Sequence, residues 1–217
     1  MPPRKRTKVT AEEEVAVESP SSPSEAVDRS PLKPYDITKT HRYIEPGPVV
    51  LVSTRGKAAT RPNLMAMGFH MCVQHEDPPL IGARIGPWNY SFHALKETSE
   101  CVIAVPGVDL AEKVIDIGNC NGDKVDKWSQ FGFTALQGEE VRAPLVKECL
   151  ANFECKVKDR RMVGKYALWV LEVVCAWVNE DREEKKTFHH EGDGSLIVDG
   201  ERLNLREHMT TWKPDGD

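Results

Sequence analysis

Two short stretches of this chain combine residue types that suit a bound anion. In "IGARIGPWNYSFHALKET", residues 81–98, an alternating apolar run stops at Gly86-Pro87 and restarts as a helix headed by Trp88, Asn89, Tyr90 and Ser91. The first amides of a helix lack intrahelical acceptors and share the positive end of its dipole, which favours a phosphate at this junction. The same residues have a plainer use, since Asn89 or Ser91 at that position also caps a helix. Arg84, just before the break, either faces solvent or reaches the same anion. In "NCNGDKVDKW", residues 119–128, Asn119, Asn121 and Gly122 precede a second helix, read over 123–131. Lys124 and Lys127 are three apart and so on one side of it, where a solvated lysine pair is the commoner outcome.

Other chemistries leave no trace. The chain has no G-x-G-x-x-G, no G-x-x-x-x-G-K-[ST], no G-x-S-x-G and no H-E-x-x-H, which argues against Rossmann, P-loop, hydrolase and zincin sites. His189 and His190 are neighbours, and on an extended chain they point to opposite sides, a poor geometry for one metal ion. Six cysteines form no C-x-x-C pair and read as reduced thiols of an intracellular protein; Cys155 reads as a small core residue. A net charge of -5 makes nucleic acid an unlikely partner for the body of the protein, and no apolar run is long enough to span a bilayer.

The elements that must position these residues can be read from periodicity. Residues 1–34 lack aromatic residues, are rich in proline, and mix a basic start with an acidic run, a composition that cannot offset its ordering entropy. They are expected to be a disordered tail whose basic cluster leaves a nuclear address open, with one domain over 35–217. Strands are expected at 48–54, at 63–73 as a single strand, at 80–85 and at "ECVIAVP". Asp109 and Glu112 form a capping box ahead of a helix that Gly118 should end. Residues 151–158 alternate and should keep one face in water, while 166–178, apolar nearly throughout, reads as the most buried strand. "RRMVGK" suits a hairpin turn between those two. Many strands with few short helices favour a mainly β, antiparallel barrel.

Six segments in order, "PGPVVLVSTRG", "NLMAMGFHM", "DPPLIGARIGPWNYSFHALKETSECVIAVP", "GNCNGDKVDKW", "APLVKECLANFECKV" and "FHHEGDGSLIVDGERL", resemble the flavin reductase-like family and its flavoredoxin branch. The resemblance runs from about Pro46 to about Leu203. It implies an FMN-binding split β-barrel, Greek-key-like, that pairs as a homodimer. It also implies an oxidoreductase that passes electrons from NAD(P)H or another reduced donor through FMN to an acceptor such as flavin or ferric iron.

A flavin needs an apolar slot for its rings, donors along the polar ring edge and an anion site for its phosphate. By resemblance, Asn63, Leu64, Met65, Ala66 and Met67 border the ring; Arg84, Pro87, Trp88, Asn89, Tyr90 and Ser91 serve the phosphate side; and Asn119, Asn121, Lys124 and Lys127 support the phosphate or ribityl chain. Taken singly, Met65 and Met67 could equally be core filler. His190 is the candidate catalytic residue over the open ring face. NADH-using members carry a Gly-Asp-His-like motif where this chain has Gly164, Lys165 and Tyr166, a departure that favours a tightly held FMN with a different donor or acceptor. Two alternatives stand beside the enzyme: a non-enzymatic FMN carrier or sensor on the same fold, and an interaction protein recruited through its tail.

Overall fold

A computed structural model describes residues 47–58, 61–201 and 203–205. The tail reading for residues 1–34 lies outside this range. Seven strands form one antiparallel sheet: β1 (Val50–Thr54), β2 (Asn63–Met67), β3 (His70–Gln74), β4 (Leu80–Arg84), β5 (Glu100–Val105), β8 (Ala151–Asp159) and β9 (Leu168–Val178). Their order is β2-β1-β5-β8-β9-β4-β3. Two short pairs lie outside it, β6 (Ala135–Leu136) with β7 (Leu145–Val146) and β10 (Phe188–His190) with β11 (Leu196–Val198). Among the described residues four helices join them: α1 (Tyr90–Thr98), α2 (Ala111–Asn119), α3 (Lys127–Phe131) and α4 (Val163–Tyr166), with a 3₁₀ turn at Val108–Leu110.

β2 and β3 stand at opposite ends of the strand order yet are joined by Gly68 and Phe69 alone. Three Cα steps reach at most about 11 Å, so the sheet must curl until its two edges nearly meet. The result is a barrel split along one seam. The 63–73 run is therefore two strands rather than one. The Gly68 carbonyl accepts from the His70 amide at 3.1 Å and the Phe69 carbonyl from the Arg84 amide at 3.0 Å, turning the chain from one barrel edge to the other.

β1 is buried along its whole length. Val50 and Val52 face the barrel interior with Ile103, Trp169 and Leu171. Val49 and Leu51 face an outer layer built by Val114 and Ile117 of α2, Trp128 of α3 and Phe188. A strand covered on both faces reads as a continuous apolar run, which explains "VVLV". Inside the barrel the Trp169 indole donates to the Ile85 carbonyl at 2.8 Å, and its ring meets Phe92 edge-on at 5.7 Å.

On the face of β8 expected in water, Lys156 and Lys158 are accessible but Asn152 and Glu154 are covered. Glu154 is 0% and Asn152 6% exposed, because the 138–146 segment folds across them. The Glu154 carboxylate accepts from the amides of Glu139, Glu140 and Val141 at 3.0, 2.7 and 2.8 Å and from the Trp177 indole at 2.7 Å. Asn152 exchanges two hydrogen bonds with the Val146 backbone. Both polar residues are thus the clamp that pins this segment to the barrel.

β9 is not the most buried strand, since its end emerges into solvent and Val178 is 72% exposed. β8 and β9 pair as adjacent antiparallel strands, as expected, but the link between them is the helical turn α4, closed by Ala167 in the left-handed region (φ 56°), in place of a tight hairpin turn. The capping box does not form: Arg182 pairs with the Asp109 carboxylate, α2 has no side-chain cap, and Gly118 sits within the helix. α3 starts at Lys127, capped by Asp126, so the helix read over 123–131 loses its first turn.

Burial pushes the Glu154 carboxyl up, but the three amides and the indole together hold it below its usual 4.5. Its contribution is complete above pH 4.5 and is lost as pH falls through the lower folded value. Glu154→Ala strands several buried donors and should lower the unfolding free energy by about 3 kcal/mol. Urea titration at pH 7 should show this loss, and the gap from wild type should narrow in acid.

Candidate flavin site

Three separate chain segments converge on one cavity of about 290 Å³. β2 supplies Asn63, Met65 and Ala66; the start of α1 supplies Trp88, Asn89 and Tyr90; the end of α2 and the turn after it supply Ile117 through Gly122; and Lys127 opens α3. A second cavity of about 450 Å³, lined among others by Met67, Phe69, Ile115 and His190, shares Ala66, Gly118 and Asn119 with the first. Together they form a continuous slot, polar at one end and more apolar at the other.

The polar end is held by a buried hydrogen-bond junction. The Asn63 amide donates to the Ser91 hydroxyl at 2.8 Å, and the Thr54 hydroxyl donates to the same oxygen at 3.1 Å. Ser91 is 0% exposed. It therefore fixes α1 to β1 and β2 from beneath and does not line the cavity. Asn89 stands at the N-cap of α1, but its side chain accepts from the Gly86 amide at 3.0 Å and makes no capping bond. The Phe92 amide already donates to the Asn89 carbonyl at 3.0 Å, which leaves the amides of Tyr90 and Ser91 to meet an external anion. Gly122 closes the opposite wall. A Cβ there would collide with Asn63 Oδ1 and lie 2.7 Å from the Tyr90 ring, so only glycine permits this approach.

Lys127 is the charged group of the cavity. It is 4% exposed, and its ammonium donates to the Ile117 carbonyl at 2.8 Å, at the negative end of α2. Burial lowers its pKa, with Cys120 opposing the shift. Among the described residues no carboxylate pairs with it. A buried cation held by one carbonyl is costly unless an anion shares its cavity.

The remaining expected residues take varied places. Leu64 is fully buried in the outer core under α2. Met65 and Met67 both line the slot and also pack with the barrel interior. Arg84 and Pro87 lie on the far side of Trp88, outside the cavity. Lys124 is exposed, precedes α3 and does not line the cavity; the two lysines do not share a helix face, because the helix begins only at Lys127. His190 lines the second cavity, and its Nδ1 accepts from the Gly192 amide at 2.9 Å. That bond places the proton of a neutral ring on Nε2. His189 turns the other way, with Nδ1 donating to the Gly47 carbonyl at 2.8 Å. Among the described residues no cluster could hold a metal ion. Gly118 and Cys120 were not foreseen as site residues; "GNCNG", with two glycines flanking three polar positions, carried the signal.

The mainly β barrel, split at one seam and bearing this slot, is that of the FMN-binding split-barrel proteins. The flavin reductase like domain model matches residues 42–196, and the chain belongs to that family. An uncharacterized protein of Archaeoglobus fulgidus is 32% identical over 114 residues, covering 52% of this chain and 64%, just under two thirds, of the relative. The structure of flavoredoxin from Methanosarcina acetivorans is similar with a TM-score of 0.64 at 24% identity, covering 76% of this chain and 89% of that one. An FMN-binding domain of a flavin reductases-like enzyme from Shewanella baltica matches with a TM-score of 0.66 at 22% identity, covering 78% and 95%. At these identities the structures speak for the fold.

Ser91→Ala would leave the Asn63 and Thr54 donors buried without an acceptor and should cost about 2 kcal/mol. A double-mutant cycle with Asn63→Ala should give a coupling of about 1 kcal/mol, measured by chemical denaturation; additive losses would show that the junction does not hold the segments together.

Proposed function

We propose that this protein is an oxidoreductase that holds FMN in the slot and passes electrons from a reduced donor, NAD(P)H among them, to an acceptor such as flavin or ferric iron. The observation that supports it most is Lys127, a buried cation without a carboxylate partner among the described residues, in a cavity bordered by the start of α1, which has no side-chain cap, and by Gly122. These groups suit a phosphate. Ala66 and Met67 then border the ring system in the adjoining cavity, with Met65 in the polar one beside it. The residues present fit the cofactor: a narrow polar end, a wider and more apolar end, and no competing acid in the lining of either.

Bound FMN supplies the redox chemistry, taking up two electrons and releasing them singly or as a pair. The chain's part is to orient the cofactor and to shape access to it. His190, with its proton on Nε2, offers a donor at the far cavity and is assigned as the catalytic residue. Asn121 lines the polar cavity, whereas Arg84 and Lys124 stand outside its lining and have no part in this reading. The lack of the family's Gly-Asp-His-like motif, whose place is taken by Gly164, Lys165 and Tyr166, supports the reading of a cofactor held tightly through turnover.

The protein is further proposed to act as a homodimer in the cytoplasm. Phe69, Met71 and Val73 lie exposed at the barrel edge and supply apolar area that a second copy would cover. Six unpaired cysteines suit a reducing compartment. A carrier or sensor role on the same fold would differ by binding FMN without turnover.

Purified protein should be yellow, with a flavin band that bleaches on anaerobic addition of NADH, NADPH or a reduced protein donor. A colourless preparation that takes up no FMN would sink the proposal. Lys127→Met should weaken FMN about 100-fold by fluorescence titration, the scale of a charge-assisted phosphate contact. His190→Ala should retain FMN within about threefold while slowing reoxidation by an added acceptor about tenfold.

A further inference from the structure

Beyond the flavin slot, across Trp88, lies a groove of about 440 Å³ between the Gly86–Trp88 turn and α4. We propose that this groove is a binding site for a flat aromatic carboxylate. Two cations and two rings carry the argument. The Arg84 guanidinium lies 5.0 Å from the Trp88 ring centre, and the Lys165 ammonium 5.0 Å from the Tyr166 ring centre. Trp88 is 62% and Tyr166 54% exposed. Among the described residues neither cation has an ion-pair partner, and no residue lining the groove is acidic.

The walls are fixed relative to each other. Arg84 and Leu168 are cross-strand partners, and the Ile85 amide donates to the Ala167 carbonyl at 2.9 Å. Ala167, a non-glycine residue at φ 56°, is held in the left-handed region at a cost of about 1 kcal/mol. The ring faces are therefore presented by a frame that does not have to form on binding.

The backbone decides between carboxylate and phosphate. Phosphate sites draw on free amides at helix starts or glycine-rich loops. Here the amides of Val163, Tyr166 and Ala167 are already bonded to the Arg160, Met162 and Val163 carbonyls. Recognition falls to side-chain cations and exposed rings, above a wall of Val163 and Leu168. That combination suits a planar ring bearing one carboxylate, stacked on an aromatic face with its charge between Arg84 and Lys165.

Trp88 lines both this groove and the flavin cavity, whereas Arg84, Lys165 and Tyr166 line the groove and not the flavin slot. The test is calorimetric titration of the full chain with 2-naphthoate, with its neutral isostere 2-naphthamide, and with ADP, each in the presence and absence of saturating FMN. Saturable 1:1 binding of 2-naphthoate is expected, about tenfold tighter than the amide, and weakened about tenfold by Lys165→Gln or Tyr166→Ala. FMN uptake by Lys165→Gln should be unchanged, which separates failure here from failure of the flavin proposal. Equal binding of acid and amide, indifference to both variants, displacement by FMN, or tighter binding of ADP would each overturn it. A fold check by thermal melting keeps the Tyr166→Ala result interpretable, and Lys165→Gln supplies a second, surface variant.

Discussion

A single buried hydroxyl organises the polar half of this molecule. Ser91 receives hydrogen bonds from Asn63 of β2 and Thr54 of β1, and by doing so sets the start of α1 against the barrel. Everything at the narrow end of the slot follows from that attachment. Tyr90 faces Gly122 because Ser91 faces inward, and Asn63 approaches the 119–122 turn because its amide is already committed beneath α1. Buried hydroxyl and amide groups must find partners, and here the partners lie on three different elements, which converts a requirement for satisfaction into a fixed geometry.

The barrel supplies the second constraint. With β1 covered on both faces, the interior cluster and the outer helical layer share one wall. α2 cannot shift without disturbing Leu51 and Leu64, so Ile117, whose carbonyl positions Lys127, is held by the same packing that stabilises the fold. Core and candidate site therefore share residues.

Much of this was legible in the sequence, and the misses have physical reasons. β1, β4 and β5 were visible because apolar runs ended at Gly or Pro, and the three segments bordering the slot were visible as a strand and two helix starts. Glu154 and Asn152 were read as solvent-facing because alternation tells which residues share a face and not what lies over it; a loop distant in sequence covers them. Gly68 was read inside a strand, although without a side chain it was free to turn the chain between barrel edges. Lys127 and Lys124 looked equivalent at a spacing of three until the helix start, set by Asp126, buried one and left the other in solvent. Leu64 and Ser91 lie at the right place in the chain but face the protein.

The tie between β2 and β3 has a mechanical consequence. Gly68 and Phe69 are the whole covalent link between β2 and β3, and the His70 ring nitrogen meets the Pro48 carbonyl at 2.7 Å beside it, so the two barrel margins are leashed to one another. Met67 at one end of the leash borders the slot, while the Phe69 carbonyl at the other holds Arg84, whose guanidinium rests on Trp88. Lengthening this link by insertion would slacken both regions at once, whereas added residues at the Gly194 turn, far from either margin in the chain, would leave that tension intact.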